Sequence, residues 1–452
     1  MPATGRNAAP STRRILLLVG PILLIETMFF TAVAPLLPHF ERTLGLSKLE
    51  AGIMVAAYPA GVFAFAVPGG LLASRVGVRP TLLLGLALLG GFSVVFAFAG
   101  SYRLLDAARF CQGIGAALAW TGALSWLVVE GSRERRGELI GMATAAAAAG
   151  ALLGPALGGA ASVLGLRPTF AAAAVSTVAL AAASFRVPVP PRGELQPLTS
   201  LLAALRRGRL ATGLWLMTLS SVSFGALDVL APLRLGHLGM SGAAIAAIFL
   251  VAAAAETAAN VPVGRLADRR GRPATLRLVL VAALAVSLGL AAARSEWSLA
   301  LAVVCAGIAF GSFYAPSMAL VADEAELAGL DLVLVLSLLN IAWAPGQLIG
   351  SAGSGALAGA TGDAVPYLLV AVLCLLSLVL VARMRRTRPP PAPTGAAPPR
   401  EQWAETDDAR RRRWTTARST ERSSSSSRRS TSSGSARPPA WPTTPTAAAS
   451  RT

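Results

Sequence analysis

Apolar residues along this chain gather into long unbroken runs separated by short polar turns. Twelve runs meet or approach the roughly 20 residues that cross a bilayer as a helix. They lie at about 15–37, 50–73, 80–100, 104–128, 137–163, 168–187, 210–233, 242–264, 274–293, 297–320, 332–358 and 364–384. Most connections are only a few residues long. The exception is 188–209, where Pro188, Pro190 and Pro191 precede Arg206, Arg207 and Arg209, and it predicts a linker between two sets of six helices. The pattern predicts an all-α membrane protein: a tail over 1–13, a six-helix bundle over 14–187, the linker, a second six-helix bundle over 210–388 and a tail over 389–452. Arg13 and Arg14 ahead of the first run look like a signal-peptide start. The run is too long for one and has no evident cleavage site, so it is expected to stay as a helix. The fifth and eighth runs are rich in Ala and Gly, which let helix backbones approach closely, and both are expected in the interior with little lipid contact.

Charge sharpens this reading. Only 46 of the first 388 residues are charged, too few to cover the surface of a water-soluble globule. The net charge of +18 does not form a nucleic-acid patch, because the bases, all arginine except Lys48, sit in short clusters between apolar runs. Arginine in place of lysine, with so much Ala and Gly, looks like a high-GC bacterial genome. With the N-terminus inside, the loops up to Arg388 carry 22 basic residues on the cytoplasmic side and six outside. That asymmetry puts both termini in the cytoplasm, in a bacterial cytoplasmic membrane. Beyond Pro389 the chain is Ser, Pro, Thr and Arg, which cannot bury enough surface to order itself; its arginines also suit contact with anionic headgroups. Cys111, Cys305 and Cys374 fall within apolar runs, and His39 and His237 stand far apart. Neither a disulfide framework nor a metal site is expected. There is no phosphate-binding loop for ATP and no soluble catalytic domain, which argues against a membrane enzyme.

The second half restates the first. Leu44-Gly45-Leu46-Ser47 recurs 194 residues later as Leu238-Gly239-Met240-Ser241. At the same offset Val67-Pro68 matches Val261-Pro262, Gly70 matches Gly264, and Cys111, Gly113 and Ile114 match Cys305, Gly307 and Ile308. In the fifth run the offset becomes 196, and Gly150, Gly154 and Gly159 match Gly346, Gly350 and Gly355. Two parallel six-helix repeats are a transporter architecture, with the substrate site near the midplane between them.

Three motifs point to one family. Gly70-Leu-Leu-Ala-Ser74-Arg75-Val-Gly77-Val-Arg79 follows the second run, and Gly264-Arg-Leu-Ala-Asp268-Arg269-Arg270-Gly271-Arg272 follows the eighth. The second copy resembles the G-x-x-x-D-R-x-G-R signature of the major facilitator superfamily. Glycines there suit a tight turn, the acid suits a neighbouring arginine, and the bases hold the loop inside. The resemblance implies a latch on the inward-closed state, in which Ser74 replaces the acid of the first copy. Arg109-Phe-Cys-Gln112-Gly113-Ile-Gly115 is similar to the family's R-x-x-Q-G-x-G motif. Gly150-Ala-Leu-Leu-Gly154-Pro155-Ala-Leu-Gly158-Gly159 matches the G-x-x-x-G-P-x-x-G-G motif of its proton-driven drug antiporters. Ala34-Pro35-Leu36-Leu37-Pro38 and Asn340-Ile-Ala-Trp343 resemble the members near the vesicular amine transporters. The resemblance covers about 14–388 and implies a major facilitator fold of twelve transmembrane helices.

Ionisable groups inside spans are costly, so each is a functional candidate. Glu26 lies 12 residues beyond Arg14, about 18 Å along a helix and close to mid-depth. A buried acid exchanges its proton when its surroundings turn from dry to wet, which suits a proton carrier; the other reading is a hydrogen-bonded structural acid. Arg109 has Asp106 three residues earlier, so an intrahelical pair competes with a coupling role. Asp228 in the seventh run and Glu256 in the eighth complete the coupling candidates. Asp323, Glu324 and Glu326 read as loop charges or partners of neighbouring arginines. Trp120, Trp126, Trp215, Phe313, Tyr314 and Trp343 are candidates to line an apolar cavity, or serve as packing and interfacial anchors. The expected activity is export of a small lipophilic or cationic compound in exchange for protons. The protein would act as a monomer, without a cofactor, on the proton gradient. The alternative is an importer or uniporter of a small metabolite.

Overall fold

A chain of long apolar runs has one way to satisfy its backbone in lipid without closing a barrel, and that is the helix. The computed structural model describes residues 10–130, 136–189, 208–327 and 332–383, and every regular element among them is helical. The expectations for residues 1–9, for most of the linker and for the tail fall outside the described residues. The first half contains α1 (Pro10–Thr31), α2 (Leu37–Leu44), α3 (Lys48–Val76), α4 (Val78–Phe98), α5 (Tyr102–Glu130), α6 (Arg136–Leu164) and α7 (Leu166–Ser184). The second contains α8 (Gly208–His237), α9 (Gly242–Arg270), α10 (Arg272–Ala292), α11 (Glu296–Gly311), α12 (Tyr314–Leu327), α13 (Leu332–Thr361) and α14 (Ala364–Arg383).

Ten stretches are long and apolar enough to cross a membrane, with α1–α2 and α11–α12 each forming one. Helices α5 and α13, of 29 and 30 residues, complete twelve. The first span is broken because Pro35 and Pro38 lack the N–H groups that would continue α1. A 3-10 turn over Ala34–Leu36 leads into α2 instead. The tenth span is broken at Ser312 and Phe313, between α11 and α12.

The internal repeat is visible as matched helix crossings. A Cβ on Gly150 would run into the backbone of Leu24, and one on Gly346 would lie 2.6 Å from the carbonyl of Thr218, 194 residues after Leu24. Gly154 meets the Met28 carbonyl at 2.9 Å, while Gly350 meets the Val222 Cα at 2.8 Å, again 194 residues on. Gly113 closes on the Tyr58 carbonyl as Gly307 closes on that of Ala252. In both halves, then, glycine puts the same pairs of helices in backbone contact. Pro155 leaves the Ala151 carbonyl without its helical donor, and the Thr31 hydroxyl bonds it from α1 at 3.3 Å.

The halves close on each other at the end carrying the Gly45 and Gly239 turns. Gly52 of α3 and Gly355 of α13 meet backbone to backbone, and Gly236 packs on Pro38, Gly242 on Ser162 and Gly159 on Ala246. Two cross-half pairs flank this seal: Lys48 Nζ to Asp363 Oδ1 at 2.6 Å and His237 Nε2 to Glu41 Oε1 at 2.9 Å. The other end differs. From 63 to 76 only Gly69 of α3 is buried, and from 253 to 266 no residue of α9 is buried. A helix packed along its neighbours keeps a buried face; these stretches, exposed or half-covered apart from Gly69, keep none, so a cleft separates the halves there.

Two expectations change. The eighth span is not interior: Val251 and Val261 of α9 are 54% and 57% exposed. Its small residues serve close crossing only near the closed end, at Ala246 and Ala252. Gly70 and Gly264 are not in turns either. Both lie inside helices with nothing near a would-be Cβ; of the glycines in these two motifs, Gly77 (φ 103°) and Gly271 (φ 84°) are the ones that take the backbone conformation that demands glycine.

Candidate functional site

The chemistry of the first half is built around the last turns of α1. The Glu26 side chain is buried; Tyr58 of α3 donates to its Oε1 at 2.9 Å and Thr27 to its Oε2 at 3.0 Å. Gly150 and Gly154 of α6 meet α1 at Leu24 and Met28, on either side of Glu26. Thus the carboxyl and the glycine motif occupy the same two turns of α1. Among the described residues no basic side chain contacts the carboxyl. Arg109, 1% exposed, instead caps the end of α1, its Nη1 donating to the Phe29 carbonyl at 3.0 Å and its Nη2 to that of Phe30 at 3.2 Å. A helix terminus in a dry interior needs partners for its last carbonyls, and a cation also suits the negative end of the helix dipole. The guanidinium lies 4.5 Å from the centre of the Tyr58 ring, so one tyrosine touches acid and base at once. Nη1 also donates to Gln112 Oε1 at 3.1 Å, and Gln112 donates to Ser93 at 3.0 Å. The Asp106–Arg109 pair is not made: Arg109 turns toward α1, and Asp106 Oδ1 is enclosed without a partner.

The second half holds two more acids in non-equivalent positions. Asp228 of α8 accepts from Gln347 Nε2 of α13 at 2.9 Å. Glu256 of α9 fits against Gly311, where the tenth span breaks; a Cβ on Gly311 would lie 2.6 Å from Glu256 Oε1. Asp228 and Glu256 are within electrostatic reach of each other and of Tyr314, which bonds to Ser221. One turn before Gln347 on α13, Trp343 packs edge-on against Phe30 at 5.2 Å, and Phe30 packs on Tyr58 at 5.3 Å. Consecutive turns of α13 therefore touch both acid centres.

The gating-type motifs sit at the open end. Asp268 is exposed and pairs with no described residue, while Arg272 pairs with Asp323 and donates to the Ala319 carbonyl at 2.9 Å. In the first copy Ser74 bonds back to the Leu71 carbonyl at 2.9 Å. Arg79 bonds the Val187 carbonyl and lies 5.5 Å from both the Trp126 and Phe185 rings. Arg75, Arg269 and Arg270 are exposed. Among the described residues the acid of the motif, Asp268, is thus outside any ion pair, and the motif's Arg272 is paired with Asp323 instead. Of the candidate aromatics, Tyr314 and Trp343 stand beside the acids. Trp126 and Trp215 are tied elsewhere, to the Pro188 carbonyl and to Ser377, and Phe313 is packed in the core. Tyr58, Gln347 and Ser93 belong to these centres too but carry no charge to mark them in the sequence. Their one signal is an uncharged polar side chain midway along an apolar run.

Comparison with known proteins agrees with this architecture. The sequence model of the Major Facilitator Superfamily matches residues 19–344 and 237–424. The uncharacterized MFS-type transporter YcaD of Shigella flexneri is 26% identical over 373 residues, covering 82% of this chain and 96% of its own. YcaD of Escherichia coli strain SE11 matches to the same extent. Among solved structures, a bacterial homolog to the human lysosomal transporter Spinster, inward-facing and unoccupied, superposes with a TM-score of 0.66 at 16% identity, over 83% of this chain and 96% of that one. The nucleoside transporter NupG gives 0.65 at 12% identity, over 84% and 100%. At these identities the structural likeness speaks for the fold alone.

Proposed function

The chain belongs to the major facilitator superfamily, a family of membrane transporters, and from that premise we propose that it exports small lipophilic or cationic compounds in exchange for protons. The arginine distribution faces the cleft toward the cytoplasm of a bacterium, with both termini on that side. Glu26 carries the proton, taking it up when the site faces outward and giving it up when the cleft faces the cytoplasm. One observation carries the reading. Among the described residues the Glu26 carboxyl is held by Tyr58 and Thr27 alone, with no basic partner, on the two turns where Gly150 and Gly154 let α6 touch α1. A proton gained or lost there acts at the crossing that has to shift between states. The glycine motif of α6 and the segment Gly264–Arg272 govern that shift.

The test uses everted membrane vesicles with an inside-acid gradient, to which lipophilic cations, amines and neutral antibiotics are added. Compound-triggered proton release in the wild type, absent from a folded Glu26→Gln variant, is the expected result. Full coupled activity in Glu26→Gln would refute the role of Glu26. Silence with every compound would turn the reading to an importer or uniporter.

A further inference from the structure

Asp228 and Glu256 are two acids within a bilayer-spanning bundle, and among the described residues no cation faces either of them. Among the described residues, Gln347 donates to Asp228 Oδ2 and nothing donates to Oδ1 or to the Glu256 carboxyl. The nearest basic residue on α8, Arg234, is turned away to the Leu290 and Ala293 carbonyls. Two further groups in this region lack partners. Asn260 Oδ1, one turn beyond Glu256 on α9, is enclosed with nothing to accept from. Tyr367 of α14 is 1% exposed, and its unpartnered hydroxyl is within electrostatic reach of Asp228. Glu256 is half-buried, on a stretch of α9 in which no residue is fully buried. The rings of Tyr314 and Trp343 supply apolar surface beside the acids. Free carboxylate oxygens, unsatisfied polar groups and aromatic faces together suit an organic cation, held by charge and by the rings. By contrast, the Glu26 centre is closed: its carboxyl oxygens are already bonded, and the nearby cation Arg109 would repel a cationic guest.

From this difference we infer that the two halves divide the work: an organic cation binds in the second half between Asp228 and Glu256, beside Tyr314, apart from the proton on Glu26. The inference rests on the export reading for its context and deepens it, but equilibrium binding tests it without any gradient. The probe is tetraphenylphosphonium, titrated into the purified full-length protein, with neutral triphenylphosphine oxide as competitor. Asp228→Asn and Glu256→Gln are each expected to weaken binding about tenfold, the equivalent of about 1.4 kcal/mol, and the double variant to abolish it. The neutral compound is expected to compete poorly. Where a neutral variant fails to fold, Asp228→Glu or Glu256→Asp reads the same contact through a displaced charge. Wild-type affinity in the folded double variant overturns the inference. So does a folded wild type that does not bind the cation. If the cation binds as expected while the vesicles release no protons, the site stands and the antiport reading falls.

Discussion

Replacing Gly150 by alanine measures how much of this fold rests on backbone contact. The new Cβ would meet the Leu24 carbonyl oxygen, with the Leu24 carbonyl carbon at 2.9 Å and Cα at 3.0 Å. Those separations fall about 0.5–1 Å short of ordinary carbon contact, and the obstacle is backbone, which cannot rotate away. Helices α1 and α6 must part, and parting stretches the Thr31–Ala151 hydrogen bond, already 3.3 Å long. Overpacking by one methyl costs about 1–3 kcal/mol, and an interhelical hydrogen bond in lipid contributes about 0.6 kcal/mol. The expected loss is therefore about 2–3 kcal/mol. At about 2–4 °C per kcal/mol for a unit the size of one half, the apparent melting temperature should fall by roughly 4–12 °C. Gly141 supplies the control, being in the same helix with open space around its would-be Cβ. Thermal melts of the two purified variants make the comparison. The repeat demands the same contrast in the other half, where Gly346→Ala should be harmful and Gly353→Ala, with nothing nearby, should not. If Gly150→Ala melts with Gly141→Ala, the close crossing is not what holds α1 to α6.

Arg109→Lys keeps the charge but loses the planar fork that reaches the Phe29 and Phe30 carbonyls together. We expect about 2 kcal/mol of destabilisation from the impaired cap, read as a lower melting temperature and a smaller yield of monodisperse protein; unchanged values would refute the capping role. Trp126→Phe removes the bond from Nε1 to the Pro188 carbonyl and weakens the stacking of Arg79. It should cost about 1–2 kcal/mol. A Trp126→Phe, Arg79→Ala double-mutant cycle should show the two residues coupled, and strict additivity would refute this. Lys48→Ala removes a half-exposed pair with Asp363 and should cost less than about 1 kcal/mol. Cross-linking between cysteines introduced at exposed positions near Lys48 and Asp363 should nonetheless fall, because the pair joins the halves; unaltered cross-linking would show that the pair does not hold them.

The twelve runs, the repeat and the glycine motifs were legible because lipid imposes one rule on every residue it touches and because glycine tolerates few substitutes at a backbone crossing. The offset of 194 that pairs Gly113 with Gly307 in the sequence also pairs Tyr58 with Ala252 across from them. The acids were legible for the opposite reason, as exceptions to an apolar pattern. What holds each acid was not. Tyr58 and Gln347 reach Glu26 and Asp228 from helices 32 and 119 residues away, and no periodicity within one helix encodes that meeting. Asp106 was misleading because proximity along α5 suggested a pair, whereas the end of α1 made the stronger demand on Arg109. Likewise alanine content marked α9 as suited to close packing without saying over which part of its length.

The seal between the halves has a consequence for the cycle. Its closest contacts are glycine backbone, proline, serine and alanine, flanked by the Lys48–Asp363 ion pair and the His237–Glu41 hydrogen bond. Apolar burial contributes about 25 cal/mol for each Å² removed from water, and the glycine contacts themselves hide little of it. That part falls to Leu36, Leu37 and Phe40, which share one buried cluster with Leu230, Leu233 and Phe249 of the second half. Parting the halves at this end therefore exposes that apolar set to water, and its cost lies there rather than in the glycine contacts or the two polar pairs.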